Sequence, residues 1–177
     1  MSALQSLNIL LVDDNQHMRA ITSAILQSAG IRNIREVSDG AMALEVVRDH
    51  QIDLAIVDFN MFPLDGVEFT RLVRNSPDSA NPYLPIIMMT GHSEKHRVVE
   101  ARDAGVTEFV VKPITAKAVF DRIQAVILRP RPYVKTDDYF GPDRRRTSSV
   151  ASYKGPRRRS TDVAEDASTN TDGSGKA

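Results

Sequence analysis

Five times over the first 128 residues, a short apolar run is followed by apolar residues at helical spacing, and this alternation constrains the chain more than any other feature. Residues 7–12 read as a buried strand leading into an acidic turn. Met18, Ile21 and Ile25 then recur at helical spacing until Gly30. Residues 34–37 form a short strand ahead of a helix marked by Ala43, Leu44 and Val47. Residues 52–57 are the third strand, and Phe69, Leu72 and Val73 mark the helix after it. Residues 85–89 are the fourth, followed by a polar helix with Val98, Ala101 and Ala104. Residues 107–111 are the fifth, and Val119, Ile123 and Val126 line the last helix. Five β–α units imply an α/β fold, a parallel sheet covered by helices on both faces. In such sheets ligands sit beyond the carboxyl ends of the strands, where the strand order reverses.

The residues at those ends carry chemistry. Asp13 and Asp14 follow the first strand, Asp58 the third, Thr90 the fourth and Lys112 the fifth. Three carboxylates on one rim repel one another and raise their own pKa values unless a cation neutralises them. A hard divalent ion with oxygen ligands, Mg²⁺ above all, resolves that conflict. A lysine adds positive charge and a hydroxyl adds a donor, a set suited to phosphoryl transfer. Any one aspartate in a β–α loop is as readily a helix cap. All five groups at strand ends in this order favour a site.

These residues, in the segments Leu11-Val12-Asp13-Asp14, Val57-Asp58-Phe59-Asn60, Asp65-Gly66, Met89-Thr90-Gly91 and Lys112-Pro113, resemble the receiver domain of bacterial response regulators, the CheY family. The resemblance implies a flavodoxin-like (βα)5 domain over residues 1–128 with strand order 2-1-3-4-5. It implies that Asp58 is the phosphoacceptor, supplied by a histidine kinase, and that the domain has no output enzyme of its own. Mg²⁺ would be held by Asp13, Asp14, Asp58 and the backbone carbonyl of Asn60. Thr90 and Lys112 would bind the phosphoryl oxygens, Lys112-Pro113 would be a cis peptide, and Phe109 would be the aromatic switch. The chain departs from the family pattern in three places: Phe62 separates Met61 from Pro63, Gly91 follows Thr90, and Phe109 lacks a tyrosine hydroxyl. None of these removes a reacting group.

The formal net charge is zero, but it is unevenly spread. Residues 1–128 hold 12 Lys and Arg against 16 Asp and Glu, whereas residues 129–161 hold 10 against 3. Residues 162–177 hold one lysine against four acids among Ser, Thr, Gly and Ala, and read as a disordered tail. A basic interaction segment attached to an acidic domain is the expectation. The chain has no cysteine, hence no disulfide or thiolate metal site, and no apolar run long enough to span a membrane. No charged-then-apolar export signal opens it, so the cytoplasm is the expected compartment. His92 and His96 stand four apart, but no glutamate pattern accompanies them as in zinc helices.

The basic segment opens with Arg129-Pro130-Arg131-Pro132-Tyr133, unsuited to a strand or helix interior. Residues 139–147, Tyr-Phe-Gly-Pro-Asp-Arg-Arg-Arg-Thr, then align with residues 153–161, Tyr-Lys-Gly-Pro-Arg-Arg-Arg-Ser-Thr, at an offset of 14 and with six of nine positions identical. With so few apolar residues the segment is expected to lack order until a ligand supplies it. Arginine forks bind phosphate and the guanine edge, and arginine and tyrosine stack on bases. Two equivalent motifs suit a two-fold ligand such as cyclic di-GMP. A receiver with this extension resembles the Cle proteins, CheY-like cyclic di-GMP effectors. That resemblance implies dinucleotide contacts from Arg131, Tyr139, Gly141, Pro142, Arg144, Arg145, Arg146, Tyr153, Gly155, Pro156, Arg157, Arg158 and Arg159. It further implies docking on the flagellar motor switch or other surface machinery, with recruitment to the motor or cell pole. Competing readings are a nucleic-acid arm, which is the lesser one, a basophilic kinase substrate, and a solvated tail without ligand.

Overall fold

A computed structural model describes residues 4–91 and 96–145. Among them five strands, β1 (Asn8–Val12), β2 (Asn33–Val37), β3 (Leu54–Asp58), β4 (Ile86–Thr90) and β5 (Glu108–Val111), form one parallel sheet in the order β2-β1-β3-β4-β5. The helices between and after them are α1 (Gln16–Ser28), α2 (Gly40–Asp49), α3 (Gly66–Asn75), α4 (Val98–Ala104) and α5 (Ala116–Leu128). The expected architecture and strand order are present.

Successive strand side chains point to opposite faces, so the largely apolar strands β1, β3 and β4 feed two cores. Ile9, Leu11, Leu54, Ile56, Ile87 and Met89 pack with Leu26 of α1 and with Val119, Ile123 and Val126 of α5. Leu10, Val12, Ala55, Val57 and Ile86 pack on the other side with Ala43 and Val47 of α2 and Phe69 and Val73 of α3. A smaller cluster of Phe59, Val67, Met88, Ala101, Ala104 and Val106 seats α4.

Local chemistry sets the helix ends. Asn15 accepts from the backbone amides of His17 and Met18 and opens α1, and Asp39 accepts from Met42 to open α2. At α3, Asp65 and Glu68 form a reciprocal capping box, a device worth about 1 kcal/mol. Gly105 ends α4 at φ 103°, a backbone region that glycine enters without steric cost.

The buried faces of two helices differ from the spacing reading. Ile21 of α1 is 50% exposed and Leu72 of α3 is 40% exposed, while Thr22 and Thr70 are fully buried. Each threonine hydroxyl donates to the carbonyl one turn earlier, Thr22 to Met18 at 2.9 Å and Thr70 to Gly66 at 2.7 Å. Once that donor is satisfied, the methyl group packs as a small apolar surface and the larger side chain is left outside.

A second difference lies beyond residue 128. The compact unit extends to Arg144. Residues 129–132 have no regular structure, but Tyr133 begins β6 (Tyr133–Thr136), which pairs antiparallel with β7 (Tyr139–Pro142) across Asp137-Asp138. The expected lack of order therefore does not hold for the start of the extension. Composition of the segment alone misses the reason, because the hairpin completes a cluster begun elsewhere. Tyr133, Phe140 and Tyr83 meet with ring centroids 5.2–5.8 Å apart. Tyr133 also donates its hydroxyl to the Tyr83 carbonyl at 2.8 Å. Beneath them lies Arg74, only 3% exposed, its guanidinium hydrogen-bonded to the carbonyls of Gly105 and Pro82 and 5.2 Å from the Tyr133 ring centre. The hairpin thus covers a buried cation at the amino-terminal end of the sheet, away from the rim that carries Asp58.

Candidate functional site

Parallel pairing of β1 with β3, and of β3 with β4 and β4 with β5, brings the strand-end residues to one rim. Asp58 is the last residue of β3, Thr90 the last of β4, and Asp13 and Lys112 directly follow β1 and β5. Asp13 is fully buried, Asp58 is 6% exposed, Thr90 is 3% exposed and Asp14 faces solvent. Carboxylate oxygens of Asp13, Asp14 and Asp58 lie within 4.8 Å of one another. Lys112 Nζ donates to Asp58 Oδ1 at 2.6 Å and stands 4.0 Å from Asp13 Oδ2.

Electrostatics follow from that crowding. Burial pushes the Asp58 carboxyl up to about 6, against the opposing pull of the hydrogen bond and charge of Lys112. Burial also raises Asp13, with the Asn15 amide hydrogen bond pulling the other way. Asp13 Oδ1 accepts that amide at 2.9 Å, whereas Oδ2 is buried with no hydrogen-bond partner. An orphaned carboxylate oxygen facing two more carboxylates is an acceptor-only cluster, which a hard divalent cation satisfies. The residues fit Mg²⁺. Asn60, expected to offer its backbone carbonyl, lies two residues beyond Asp58 and is exposed.

Neighbouring residues hold this geometry. Gly66 starts α3 so close to Asp58 that an added Cβ would lie 2.5 Å from the Asp58 carbonyl oxygen. The Lys112 amide donates to the Thr90 carbonyl at 2.7 Å, and Lys112-Pro113 is cis, as the resemblance implied. Phe62-Pro63 is cis as well, with Met61 buried and Phe62 85% exposed. Phe109 is half-buried against the Phe59–Met88–Ala101 cluster.

Sequence reading missed Arg97. Its guanidinium lies 4.5 Å from the Phe59 ring centre and pairs with Asp65 at 3.1 Å and Glu100 at 3.4 Å. It thereby ties the start of α4 to the start of α3 beside Asp58. The Arg97–Glu100 spacing was the one available signal, and it reports a helix surface pair. His96 is described but His92 lies outside the described residues.

In the extension the structure corrects the free-arm expectation for the first repeat. Arg131 donates to the carbonyls of Thr107 and Asp143 and pairs with Glu108. Tyr139 donates to the Pro142 carbonyl at 2.7 Å, and Gly141 and Pro142 are buried. The Arg144 guanidinium lies 4.0 Å from the Tyr139 ring centre and pairs with Asp103 at 3.1 Å. These side chains serve the hairpin because its aromatic anchor brings them against α4. Arg145 closes the described part, and Arg146, Tyr153, Gly155, Pro156, Arg157, Arg158 and Arg159 lie outside the described residues.

A doubly wound parallel sheet with three acids, a hydroxyl and a lysine at its carboxyl rim defines a phosphoryl-accepting class of signalling domain. The response regulator receiver domain matches residues 9–124, and the chain belongs to that family. It is 34% identical over 123 residues to the chemotaxis protein CheY of Pseudomonas aeruginosa, covering 70% of this chain and 98% of that protein. To CheY-3 of Vibrio cholerae it is 30% identical over 125 residues, covering 71% and 95%. Among solved structures, Vibrio cholerae CheY4 matches with TM-score 0.61 and 30% identity, over 68% of this chain and 98% of that one. The receiver domain of the Pseudomonas aeruginosa sensor histidine kinase PA1611, solved with a magnesium ion coordinated in its active-site cleft, matches with TM-score 0.59 and 28% identity, over 66% and 93%. The family match ends ahead of the hairpin and the basic repeat.

Proposed function

We propose that this chain is a single-domain response regulator that accepts a phosphoryl group on Asp58 from a histidine kinase. The observation that carries the reading is the pair of buried carboxylates Asp13 and Asp58 with Lys112 against them in a member of the receiver family. An Asp58 carboxylate oxygen attacks the phosphorus of the donor phosphohistidine, the P–O bond forms as the P–N bond breaks, and the imidazole nitrogen leaves with the electron pair. Lys112 and the Thr90 hydroxyl take the phosphoryl oxygens as charge builds on them. Asp13, Asp14, Asp58 and the Asn60 carbonyl are the residues that would hold Mg²⁺. When bound, that ion neutralises the carboxylates and the transferring group. Phe109 and Thr90 would then pass the new charge to the face built by α4, β5 and α5. The domain performs no further chemistry and works through protein contacts. The similarity to chemotaxis proteins supports motor control as the output, with the motor switch as partner in the cytoplasm or at the cell pole. No helix among the described residues is long and apolar enough to cross a membrane.

The arginine-rich extension supplies a second input, cyclic di-GMP. Its support is the repeated Tyr-x-Gly-Pro-x-Arg-Arg motif, whose arginines and tyrosines match the phosphates and guanines of that ligand. Two experiments test the two inputs. Incubation with a small-molecule phosphodonor and Mg²⁺ should add one phosphoryl mass to the wild type and none to Asp58→Asn; labelling of both would refute phosphorylation at Asp58. Calorimetry with cyclic di-GMP, with GTP and linear oligonucleotides as controls at two salt concentrations, should give specific binding. Equal, steeply salt-dependent binding of oligonucleotides would favour the nucleic-acid arm.

A further inference from the structure

The loop between β3 and α3 begins at Phe59, directly after Asp58, and ends at Asp65, which caps α3. Between them lie Asn60, whose carbonyl belongs to the metal set proposed above, and the exposed Phe62. The main chain joins the two ends once, where the Gly66 amide donates to the Phe59 carbonyl at 3.1 Å. A side chain from a distant element joins them again. Arg97, at the start of α4, lays its guanidinium 4.5 Å from the centre of the Phe59 ring and donates Nη2 to Asp65 Oδ2 at 3.1 Å.

Both contacts meet residues that are already fixed. Phe59 is buried against Val67, Met88, Ala101, Ala104 and Val106, and its amide donates to the Met89 carbonyl at 3.0 Å. Asp65 Oδ1 accepts the amides of Val67 and Glu68 at 2.9 and 2.8 Å, which leaves Oδ2 for Arg97. A planar, weakly hydrated guanidinium lies over a ring and bonds a carboxylate at once, a combination the compact ammonium of lysine does not match. Arg97 also pairs with Glu100 at 3.4 Å, but Arg71 of α3 holds that carboxylate from the other side at 3.1 Å. The Glu100 pair is thus a surface contact shared by two arginines, whereas the contacts at Phe59 and Asp65 span the loop.

We infer that Arg97 is a positioning residue for the Asp58 site: it staples both ends of the loop and thereby holds the Asn60 carbonyl ready for the divalent ion. The inference rests on the phosphoacceptor reading above and deepens it. A loop fixed before the ion arrives loses little conformational freedom on binding, so affinity is higher than for a loop still to be ordered. Among the described residues Arg97 meets Phe59, Asp65 and Glu100 and none of the reacting groups, so its effect is on the ion's affinity. Charge acts with the opposite sign, because removing a cation from beside a metal site favours the ion. A loss of affinity without the guanidinium therefore reports placement.

The test is calorimetric titration of Mg²⁺ into the metal-free full chain, with thermal denaturation alongside. Arg97→Ala should bind Mg²⁺ about tenfold more weakly than wild type. Arg97→Lys, which keeps the charge and loses the planar contact, should fall between the two. Arg71→Ala breaks the neighbouring α3–α4 pair through Glu100 without touching the loop, and should stay within about twofold of wild type. With a small-molecule phosphodonor, the Mg²⁺ concentration for half-maximal labelling should rise in Arg97→Ala by the same factor, while the rate at saturating Mg²⁺ stays within about threefold. Wild-type or tighter Mg²⁺ binding in Arg97→Ala would overturn the inference. An equal loss in Arg71→Ala would overturn it too, by tracing the effect to α3–α4 packing. If the wild type neither binds Mg²⁺ nor takes the phosphoryl group, the phosphoacceptor reading fails as well; if it does both and Arg97→Ala matches it, only the role of Arg97 fails.

Discussion

Lys112 Nζ sits 2.6 Å from Asp58 Oδ1, joining the ends of β3 and β5 across the neighbouring β4. The lysine opposes the desolvation that pushes Asp58 up to about 6. Lys112→Met should therefore raise the Asp58 carboxyl further, as followed by carboxyl-carbon NMR. With a phosphoryl-oxygen contact also gone, transfer from a small-molecule phosphodonor should slow by about 100-fold. Unchanged transfer would remove Lys112 from the reacting groups.

Asp58 also makes metal-free stability depend on pH. Its pKa is 3.8 in the ordinary case and about 6 in the fold, so between those values the folded protein holds a proton that the unfolded chain has released. Stability should consequently fall as pH rises from 3.8 towards 6 and stay reduced above that. Full ionisation costs roughly 3 kcal/mol. Denaturation in chelator should show this slope, and Asp58→Asn should flatten it and melt higher at neutral pH. Adding Mg²⁺ to the wild type at neutral pH should recover stability by neutralising the cluster. A wild-type slope of the opposite sign would contradict the burial argument.

Tyr133 covers Arg74 and anchors the hairpin. Tyr133→Ala should cost about 2 kcal/mol, because a half-buried ring and its hydroxyl bond are lost and the guanidinium is left partly uncovered. Ending the chain at Leu128 should destabilise in the same direction. Chemical denaturation measures both, and an equal midpoint in all three proteins would mean that the hairpin adds nothing to the domain.

Gly66→Ala probes the closest backbone approach in the site. The new methyl would lie 2.5 Å from the Asp58 carbonyl oxygen, so the start of α3 or the end of β3 must move. A loss of about 1–3 kcal/mol is expected, together with weaker Mg²⁺ binding by calorimetry. Wild-type Mg²⁺ affinity in a destabilised variant would show that the metal residues do not depend on this contact.

The sheet, its flanking helices and the rim were legible in residues 1–128 because each rests on a local pattern. Apolar runs such as residues 54–57 have one way to be covered, and the order of acids, hydroxyl and lysine at the strand ends places the site. The spacing of Met18, Ile21 and Ile25 did not reveal which side of α1 is buried. Thr22 hides its polarity in a hydrogen bond to its own helix, and no hydropathy pattern records that. Arg97 was missed for a related reason: its partners Phe59 and Asp65 come from distant positions in the chain.

The extension divides along the same line. Its charge, its repeat and the positions where the two copies differ were properties of the sequence by itself, as were the fold class and the acids, hydroxyl and lysine of the rim. Only the tertiary structure decided that residues 133–144 are folded onto the domain. Three aromatic rings and one buried guanidinium, drawn from Arg74, Tyr83, Tyr133 and Phe140, stabilise that hairpin only once β4, α3 and α4 have brought their pieces together. Burial energy of this kind belongs to the assembled surface, and neither partner's sequence carries it alone.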